Sequence, residues 1–292
     1  MLKTDIVNRG SKNVIFTAMQ DTYAWDLKSK DVGPDPFYER NLNDLISYQK
    51  KYAEAVGADY RYYHGDLVSF VKEKLPGIID LRLFIQYYDF ARYIIMHELS
   101  LAYDKILYID SDIVPITKKS IFDEITEQDS FYTHWFYLET CPFFDEMQTY
   151  LKFLKPKNFI YKGHTNCGVL AARGVAIKKM FDTSFDKMME FFKTIDSNYE
   201  PEHVIYVGFE HLFMYLKGTD QINFNLRNFN EQNRWNVYAM KGFCDPLEDI
   251  LIKLKKNKKH EGFLHFCGGE AKKWYEEQKD NINELIKETF GE

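Results

Sequence analysis

The chain has 292 residues, 45% of them hydrophobic, which is enough to bury the core of one large α/β domain or of two smaller ones. Its 38 basic and 44 acidic residues give a formal net charge of −6, which argues against a general or sequence-specific nucleic-acid-binding protein. No stretch reaches the ~18 apolar residues of a membrane span, and the N-terminus has no apolar signal core. The four cysteines form no Cys-X-X-Cys pair. These features predict a cytoplasmic protein with reduced thiols.

The first half of the chain alternates between apolar runs and segments with helical spacing. Strands are predicted at residues 14–18, 59–63 and 106–109, and helices at residues 37–56 and 83–95. Strands that alternate with helices over short connections predict an α/β fold with a mostly parallel central sheet flanked by helices.

The second half of the chain has a less regular pattern. The remaining predicted strands are residues 130–135, 169–172 and 262–266, and the remaining predicted helices are residues 178–195, 202–216 and 271–290. No internal repeat and no break in composition divides the sequence, so a single domain with an elaborated C-terminal half is predicted.

Two carboxylates, Asp110 and Asp112, follow directly on the apolar run 106–109, and Pro115 makes a continuing central strand unfavourable. Carboxylates at the C-terminal end of a buried strand face the crevice where open α/β sheets bind ligands. Hard oxygen ligands there suit a divalent cation that holds phosphate oxygens. Two other interpretations stay open: solvated acids at a strand end, and a phosphatase of haloacid-dehalogenase type, whose nucleophile strand comes first in its domain.

A second group of candidates lies near the C-terminus. His265 ends a short apolar run, and a neutral imidazole there suits Mn²⁺ as a third ligand. Gly268 and Gly269 permit a close backbone approach to a phosphate, and Lys272 or Lys273 would neutralise a departing diphosphate. The alternative is a packed histidine followed by a turn and a solvated helix start.

Further candidates are polar residues beside apolar segments. Asn166 precedes Gly168 and an apolar strand, where its carboxamide would bond sugar hydroxyls and the glycine would leave room for the ring. Glu210 and His211 stand in an apolar helical segment, where a carboxylate needs a partner or a raised pKa. A turn residue and a helix-surface acid are the corresponding structural interpretations.

Two basic features complete the set. Arg92 lies one helix before the paired carboxylates, where it would contact a phosphate or a sugar, or else form a surface ion pair with Asp89. The lysine-rich run Lys253 to Lys259 is either a solvated face or a peripheral contact with an anionic membrane.

Taken together, these stretches resemble the GT-A glycosyltransferases, and most closely glycosyltransferase family 8, the group of glycogenin and the bacterial lipopolysaccharide galactosyl- and glucosyltransferases. The resemblance is carried by residues 90–93, 103–113, 166–169 and 265–274, in the family's order and approximate spacing. It implies a Rossmann-like nucleotide-diphospho-sugar transferase domain over residues 1–292. Residues 13–115 would form the nucleotide-sugar-binding half, 116–275 the acceptor and catalytic half, and 271–290 a C-terminal helix.

The resemblance also implies roles for individual residues. Asp110, Asp112 and His265 correspond to the ligands of Mn²⁺, or of Mg²⁺ in its place. Contacts with the nucleotide sugar are implied for Thr17, Ala18, Tyr23, Arg92, Ser111, Gly268, Lys272 and Lys273. Asn166, Glu210 and His211 would lie at the reacting face, with Asp220-Gln221 as an alternative counterpart of the Asp-Gln pair found in the family.

The implied activity is transfer of a hexose from UDP-glucose or UDP-galactose with retention of anomeric configuration. The acceptor would be a carbohydrate, a glycolipid or a protein. An inverting enzyme with Glu210 as the base, and a sugar-nucleotide-binding protein without catalysis, remain as alternatives.

Overall fold

The computed structural model describes residues 2–21, 35–75, 84–136, 164–197, 225–229, 237–238 and 262–291. The strands in these ranges are β1 (Lys3–Val7), β2 (Asn13–Gln20), β3 (Asp59–Gly65), β4 (Lys105–Ile109), β5 (Ile113–Pro115), β6 (Ser130–Phe136), β7 (His164–Arg173), β8 (Asn225–Asn228), β9 (Val237–Tyr238) and β10 (Phe263–His265). The helices are α1 (Pro36–Ala55), α2 (Leu67–Lys74), α3 (Phe84–Ser100), α4 (Gly174–Ser197), α5 (Gly269–Glu277) and α6 (Lys279–Phe290), with a 3-10 turn at Ile121–Asp123.

Seven strands form a central sheet in the order β1-β3-β2-β4-β7-β6-β8. Strands β3, β2, β4, β6 and β8 point the same way, whereas β1 and β7 run antiparallel to their neighbours. The parallel centre β3-β2-β4 is the arrangement expected when helices connect successive strands. The predicted α/β fold, with a mostly parallel sheet flanked by helices, is confirmed.

The strand β4 shows how the sheet sorts its side chains between two faces. Ile106 and Tyr108 belong to an apolar cluster shared with α2, α3 and α4, whereas Leu107 and Ile109 belong to a cluster shared with α1. This alternation follows from the period of two residues in a strand. Asp110 continues the first set, which directs its carboxylate toward the face covered by α3.

Directly after Asp110 the chain leaves the central sheet. The amide of Ile113 donates to the carbonyl oxygen of Asp110 at 3.2 Å, which closes a tight turn. The next residues form β5, which pairs antiparallel with β10 in a separate small sheet that also includes β9. The expectation that Pro115 would not lie in a central strand is confirmed.

The helices differ from the sequence-based expectations at two places. The predicted terminal helix 271–290 is wrong as a single helix, because α5 ends before Gln278 and α6 begins after it. This break lets Tyr275 and Ile286 contact the same apolar cluster. Helix α2 was not expected, and the predicted helix 202–216 lies outside the described residues. No helix in the described ranges is long and apolar enough to cross a membrane.

Candidate metal and nucleotide site

Asp110, Asp112 and His265 meet at the C-terminal end of β4. Nε2 of His265 lies 3.4 Å from Oδ1 of Asp112 and 3.7 Å from Oδ2 of Asp110. One ligand atom from each residue lies within 4.8 Å of the others. Ligands about 2.1 Å from an octahedral cation stand roughly 3 to 4 Å apart, so this triad fits one divalent ion after a small adjustment.

Pairing between β5 and β10 is what brings the histidine to the two carboxylates. His265 is in register with Ile113, the residue after Asp112, and the amide of Phe266 donates to the carbonyl oxygen of Asp112 at 3.0 Å. On the other side, the amide of Asp110 donates to the carbonyl oxygen of Gly168 in β7 at 2.8 Å. The ligands are therefore held by backbone hydrogen bonds from both sheets.

The absence of a side chain at Gly168 is a condition for this triad. A Cβ atom at this position would lie 2.5 Å from Cε1 of His265 and 2.7 Å from Oδ2 of Asp110. Because those contacts are far inside van der Waals distance, only glycine lets the two ligands approach each other here. The room expected beside Gly168 for a sugar ring stays a prediction.

The three side chains differ in their exposure and in their pKa values. The carboxylate of Asp110 is 23% exposed, that of Asp112 10% and the ring of His265 2%, so the open side of the site lies at Asp110. Burial raises the pKa of Asp110 against the lowering effect of the nearby Arg92. Burial also acts on Asp112 and His265, but their mutual hydrogen bond and opposite charges outweigh it. The pKa of Asp112 is therefore lowered and that of His265 is raised well above its usual range.

Arg92 borders the site on the α3 side. Its guanidinium lies between the rings of Tyr88 and Tyr108, 4.7 and 4.9 Å from their centroids, and pairs with the fully buried Asp89. It also lies 3.5 Å from Oδ1 of Asp110, an atom that accepts a hydrogen bond from the Tyr108 hydroxyl. The ion pair with Asp89 that was the alternative is present, but its placement on the surface is wrong, because Arg92 is 8% exposed and also lies beside Asp110.

Lys272 borders the site on the opposite side, with the N-terminus of α1. Its Nζ lies 2.9 Å from Oδ2 of Asp35 and 4.2 Å from the centroid of the Tyr38 ring. The Tyr38 hydroxyl donates to Oδ2 of Asp112 at 3.2 Å, and the charge of Lys272 contributes to the lowered pKa of Asp112. Lys273, by contrast, is 79% exposed and pairs with Glu277. Of the two lysines predicted as phosphate contacts, Lys272 is the one beside the triad.

Other predicted contacts have defined positions in the fold. Thr17 is fully buried, with its hydroxyl oxygen 2.7 Å from the Ile109 carbonyl oxygen, and the carbonyl oxygen of Ala18 accepts a hydrogen bond from the Tyr88 hydroxyl. Their side chains belong to the core, so the proposed contacts with a nucleotide stay predictions.

Two further predicted contacts lie at the edge of the triad. Oδ1 of Asn166 accepts from the amide of Gly168 at 3.0 Å, and Ser111 is buried between the two acidic ligands. Gly268 has a φ of 89° and directly precedes α5. The predicted residues Tyr23, Glu210 and His211 lie outside the described residues, as does the alternative pair Asp220-Gln221.

Sequence reasoning missed four side chains around the ligands: Tyr38, Gln49, Tyr88 and Tyr108. Tyr108 had a usable signal, because residues two apart in a strand share a face and Asp110 follows it at that spacing. Gln49 also had a usable signal in the sequence. It lies four residues after Leu45 and three before Tyr52, a spacing that places its carboxamide on the buried face of the helix.

No protein-family model matches the chain, and no curated protein matches it at a significant level. Solved structures do show likeness. A glycosyltransferase involved in the glycosylation of the major capsid of PBCV-1 is 14% identical, with 94% of this chain and 98% of that chain covered and a TM-score of 0.40.

Two further solved structures are similar to the chain over most of its length. The galactosyltransferase LgtC, in complex with donor and acceptor sugar analogues, is 16% identical over 94% of this chain and 96% of that chain, with a TM-score of 0.46. The glycosyltransferase GlyE of Streptococcus pneumoniae TIGR4 is 15% identical over 95% of this chain and 63% of that chain, with a TM-score of 0.43. With TM-scores below 0.5, the activity has to be inferred from the site itself.

Proposed function

We propose that the chain is a Mn²⁺-dependent glycosyltransferase that moves a hexose from a UDP-sugar to an acceptor with retention of anomeric configuration. The observation that carries this proposal is the convergence of Asp110, Asp112 and His265 at the end of β4, beside the basic side chain of Lys272. This convergence joins residues from segments 103–113 and 265–274, two of those that resemble glycosyltransferase family 8.

The donor set favours a hard divalent cation. Two carboxylates and one imidazole suit Mn²⁺, whereas thiolate ligands would favour zinc. When bound, such a cation neutralises the charge that develops on a departing diphosphate. Asp110, the most exposed of the three ligands, borders the open side from which a nucleotide diphosphate would approach.

The protein's own cations would share this work. Lys272 is held by Asp35 within 2.9 Å, and a diphosphate would offer it a doubly charged partner in place of one carboxylate. Arg92 is fixed between two tyrosine rings and paired with Asp89, so its charge is oriented before the substrate arrives. Preorganised charges of this kind lower the barrier without reorganising during the reaction.

The sugar would lie near Asn166, next to Gly168 and the triad. We assign the reacting face to Asn166, Glu210 and His211 on the basis of the resemblance. The donor is proposed to be UDP-glucose or UDP-galactose, and the acceptor a carbohydrate, a glycolipid or a protein. The phosphatase alternative is disfavoured because β4 follows three strands of the same sheet instead of opening the domain.

A thermal-shift experiment tests this proposal directly. The purified chain is melted with Mn²⁺, Mg²⁺ or EDTA against UDP, ADP, GDP and their glucose and galactose derivatives. A ligand of the native state raises the melting temperature according to its occupancy. The expected result is stabilisation by UDP compounds only when Mn²⁺ is present, and its loss in Asp112→Asn.

Two other outcomes would lead to different functions. Stabilisation by UDP-sugars without any release of UDP on prolonged incubation would identify a binding protein. A melting temperature that no nucleotide changes, together with cleavage of an aryl phosphate in the presence of Mg²⁺, would support the phosphatase interpretation.

A further inference from the structure

The carboxamide of Gln49 is fully buried beneath the turn that carries the acidic ligands. Its Nε2 donates to the carbonyl oxygens of Asp110, at 2.9 Å, and Ile113, at 3.1 Å. Its Oε1 accepts from the hydroxyl of Tyr60 at 2.8 Å and lies 2.8 Å from Oγ1 of Thr17. Both amide hydrogens of this side chain are therefore used, and its oxygen accepts from the Tyr60 hydroxyl.

The orientation of this carboxamide is determined by its partners. Carbonyl oxygens can only accept hydrogen bonds, so the amide nitrogen of Gln49 must face the turn. The hydroxyl groups of Tyr60 and Thr17 can donate, so they face its oxygen. The Thr17 hydroxyl also lies 2.7 Å from the carbonyl oxygen of Ile109, and its one hydrogen is donated to one of these two oxygens at a time.

The two hydrogen bonds that Gln49 donates reach the first and the last residue of the turn, Asp110 and Ile113. The carbonyl groups of Asp110 and Ile113 enclose the backbone from which both carboxylates project. His265 is in register with Ile113, the last residue of the turn, whereas Asp110, its first residue, is hydrogen-bonded to Gly168 in β7. A change in the shape of the turn would thus change the distance between the Asp110 carboxylate and the imidazole.

We propose that Gln49 is a positioning residue that sets the geometry of the cation ligands by holding both ends of the Asp110–Ile113 turn. This inference rests on the proposed metal site and adds to it a residue that touches neither the cation nor the substrate. Residues that orient metal ligands in this way typically change metal affinity by about 10- to 100-fold when they are replaced.

A purely structural role would have a different signature. Gln49 would then contribute only to folding stability, and its loss would leave the metal affinity of the folded protein unchanged. Asn41 provides a matched control on the same helix, since it is 2% exposed and donates to Phe37 and Glu276 at 3.0 Å each. It makes no described contact with the turn.

The test measures Mn²⁺ affinity by electron paramagnetic resonance, which detects the free aquo ion and needs no turnover. Wild type, Gln49→Met and Asn41→Leu are titrated, and the melting temperature of each is recorded without metal. We expect both variants to melt at lower temperature. Only Gln49→Met should lose Mn²⁺ affinity, by about 10-fold or more.

A second variant keeps the inference testable if Gln49→Met does not fold. Tyr60→Phe preserves the ring of Tyr60 and removes one of the two hydroxyl groups that orient the Gln49 oxygen. It should weaken Mn²⁺ binding by about 3-fold, a smaller effect than loss of the carboxamide itself.

The possible results separate this inference from the proposed function. Wild-type protein that fails to bind Mn²⁺ overturns both. Wild-type binding with unchanged affinity in the folded Gln49 and Tyr60 variants overturns the positioning role alone. Equal losses of affinity in Gln49→Met and Asn41→Leu would also overturn it, because affinity would then follow stability.

Discussion

Nε2 of His265, the last residue of β10, lies 3.4 Å from Oδ1 of Asp112, which lies in the turn before β5, about 150 residues earlier in the chain. Their contact depends on the small sheet in which β10 pairs with β5. Each side chain stabilises the charged form of the other, so the pKa of Asp112 is lowered and that of His265 is raised. A divalent cation bound between them would take the place of the imidazolium proton.

The first prediction concerns the ligand Asp112. Asp112→Asn keeps the size of the side chain but removes its charge, so Mn²⁺ affinity should fall by about 100-fold or more. The fold should persist, because backbone bonds hold this segment in both sheets. Circular dichroism checks the fold and a Mn²⁺ titration checks the affinity. A near-normal affinity in the folded variant would contradict the assignment of this residue as a ligand.

The second prediction concerns Gly168. A methyl group here would lie 2.5 Å from His265 and 2.7 Å from Asp110, so Gly168→Ala should push these ligands apart and weaken Mn²⁺ binding by about 10-fold or more. Gly269→Ala is the control, since no atom lies within 4 Å of its added methyl group. The control should bind Mn²⁺ as the wild type does. Equal behaviour of the two variants in the Mn²⁺ titration would show that the close packing at Gly168 does not matter.

The third prediction separates the two lysines near the C-terminus. Lys272→Ala should weaken binding of UDP in the presence of Mn²⁺ by about 10-fold, the loss of one charge-assisted bond of about 1.5 kcal/mol. Lys273→Ala should have no such effect, because that side chain is 79% exposed and directed to Glu277. Isothermal titration calorimetry with UDP compares the two. The reverse order of effects would move the phosphate contact to Lys273.

The fourth prediction concerns acid stability at a position far from the ligands. Asp59 accepts from the amides of Arg9 and Ser11, at 2.6 and 3.2 Å, and from the Tyr103 hydroxyl at 2.8 Å. Burial alone would raise its pKa, but these hydrogen bonds outweigh burial and lower it. The stabilisation is therefore present above the unfolded pKa of about 3.9 and is lost as the pH falls through the lower folded value.

Asp59→Ala should accordingly reduce the free energy of unfolding by about 1 to 3 kcal/mol at neutral pH, because it removes the acceptor of one buried and two partly buried hydrogen bonds. The difference from wild type should shrink as the pH falls below about 4. Urea unfolding at a series of pH values measures it. A difference that stays constant through this range would mean that the charge of Asp59 contributes nothing.

The candidate ligands were predictable from sequence for physical reasons that do not extend to their neighbours. An apolar run followed by Asp110 and Asp112 indicates the end of a buried strand, and His265 ends another short apolar run, a position for which the resemblance implies the same role. Tyr38 and Gln49 lie on α1, where helical periodicity predicts which face is buried but not which loop that face meets. The pairing of the short strand β5 was not predictable either. Its partner β10 lies far along the chain, and no local sequence pattern indicates that the two strands pair.

The edge strand β1 was missed for a different reason. Its burial is low at every residue, so it has none of the alternation that reveals a half-buried strand. The continuous terminal helix was wrong because Gln278 carries no glycine or proline signal, and the break there depends on tertiary packing.

The most direct test of the account is release of UDP from UDP-glucose and UDP-galactose by the full chain, measured with Mn²⁺ and again with EDTA. Transfer to water, even without the natural acceptor, liberates UDP and requires the assembled site. We predict release that depends on Mn²⁺ and disappears in Asp112→Asn. Release that continues unchanged with EDTA and in this variant would contradict the claim that Asp110, Asp112 and His265 form the metal centre of a glycosyltransferase.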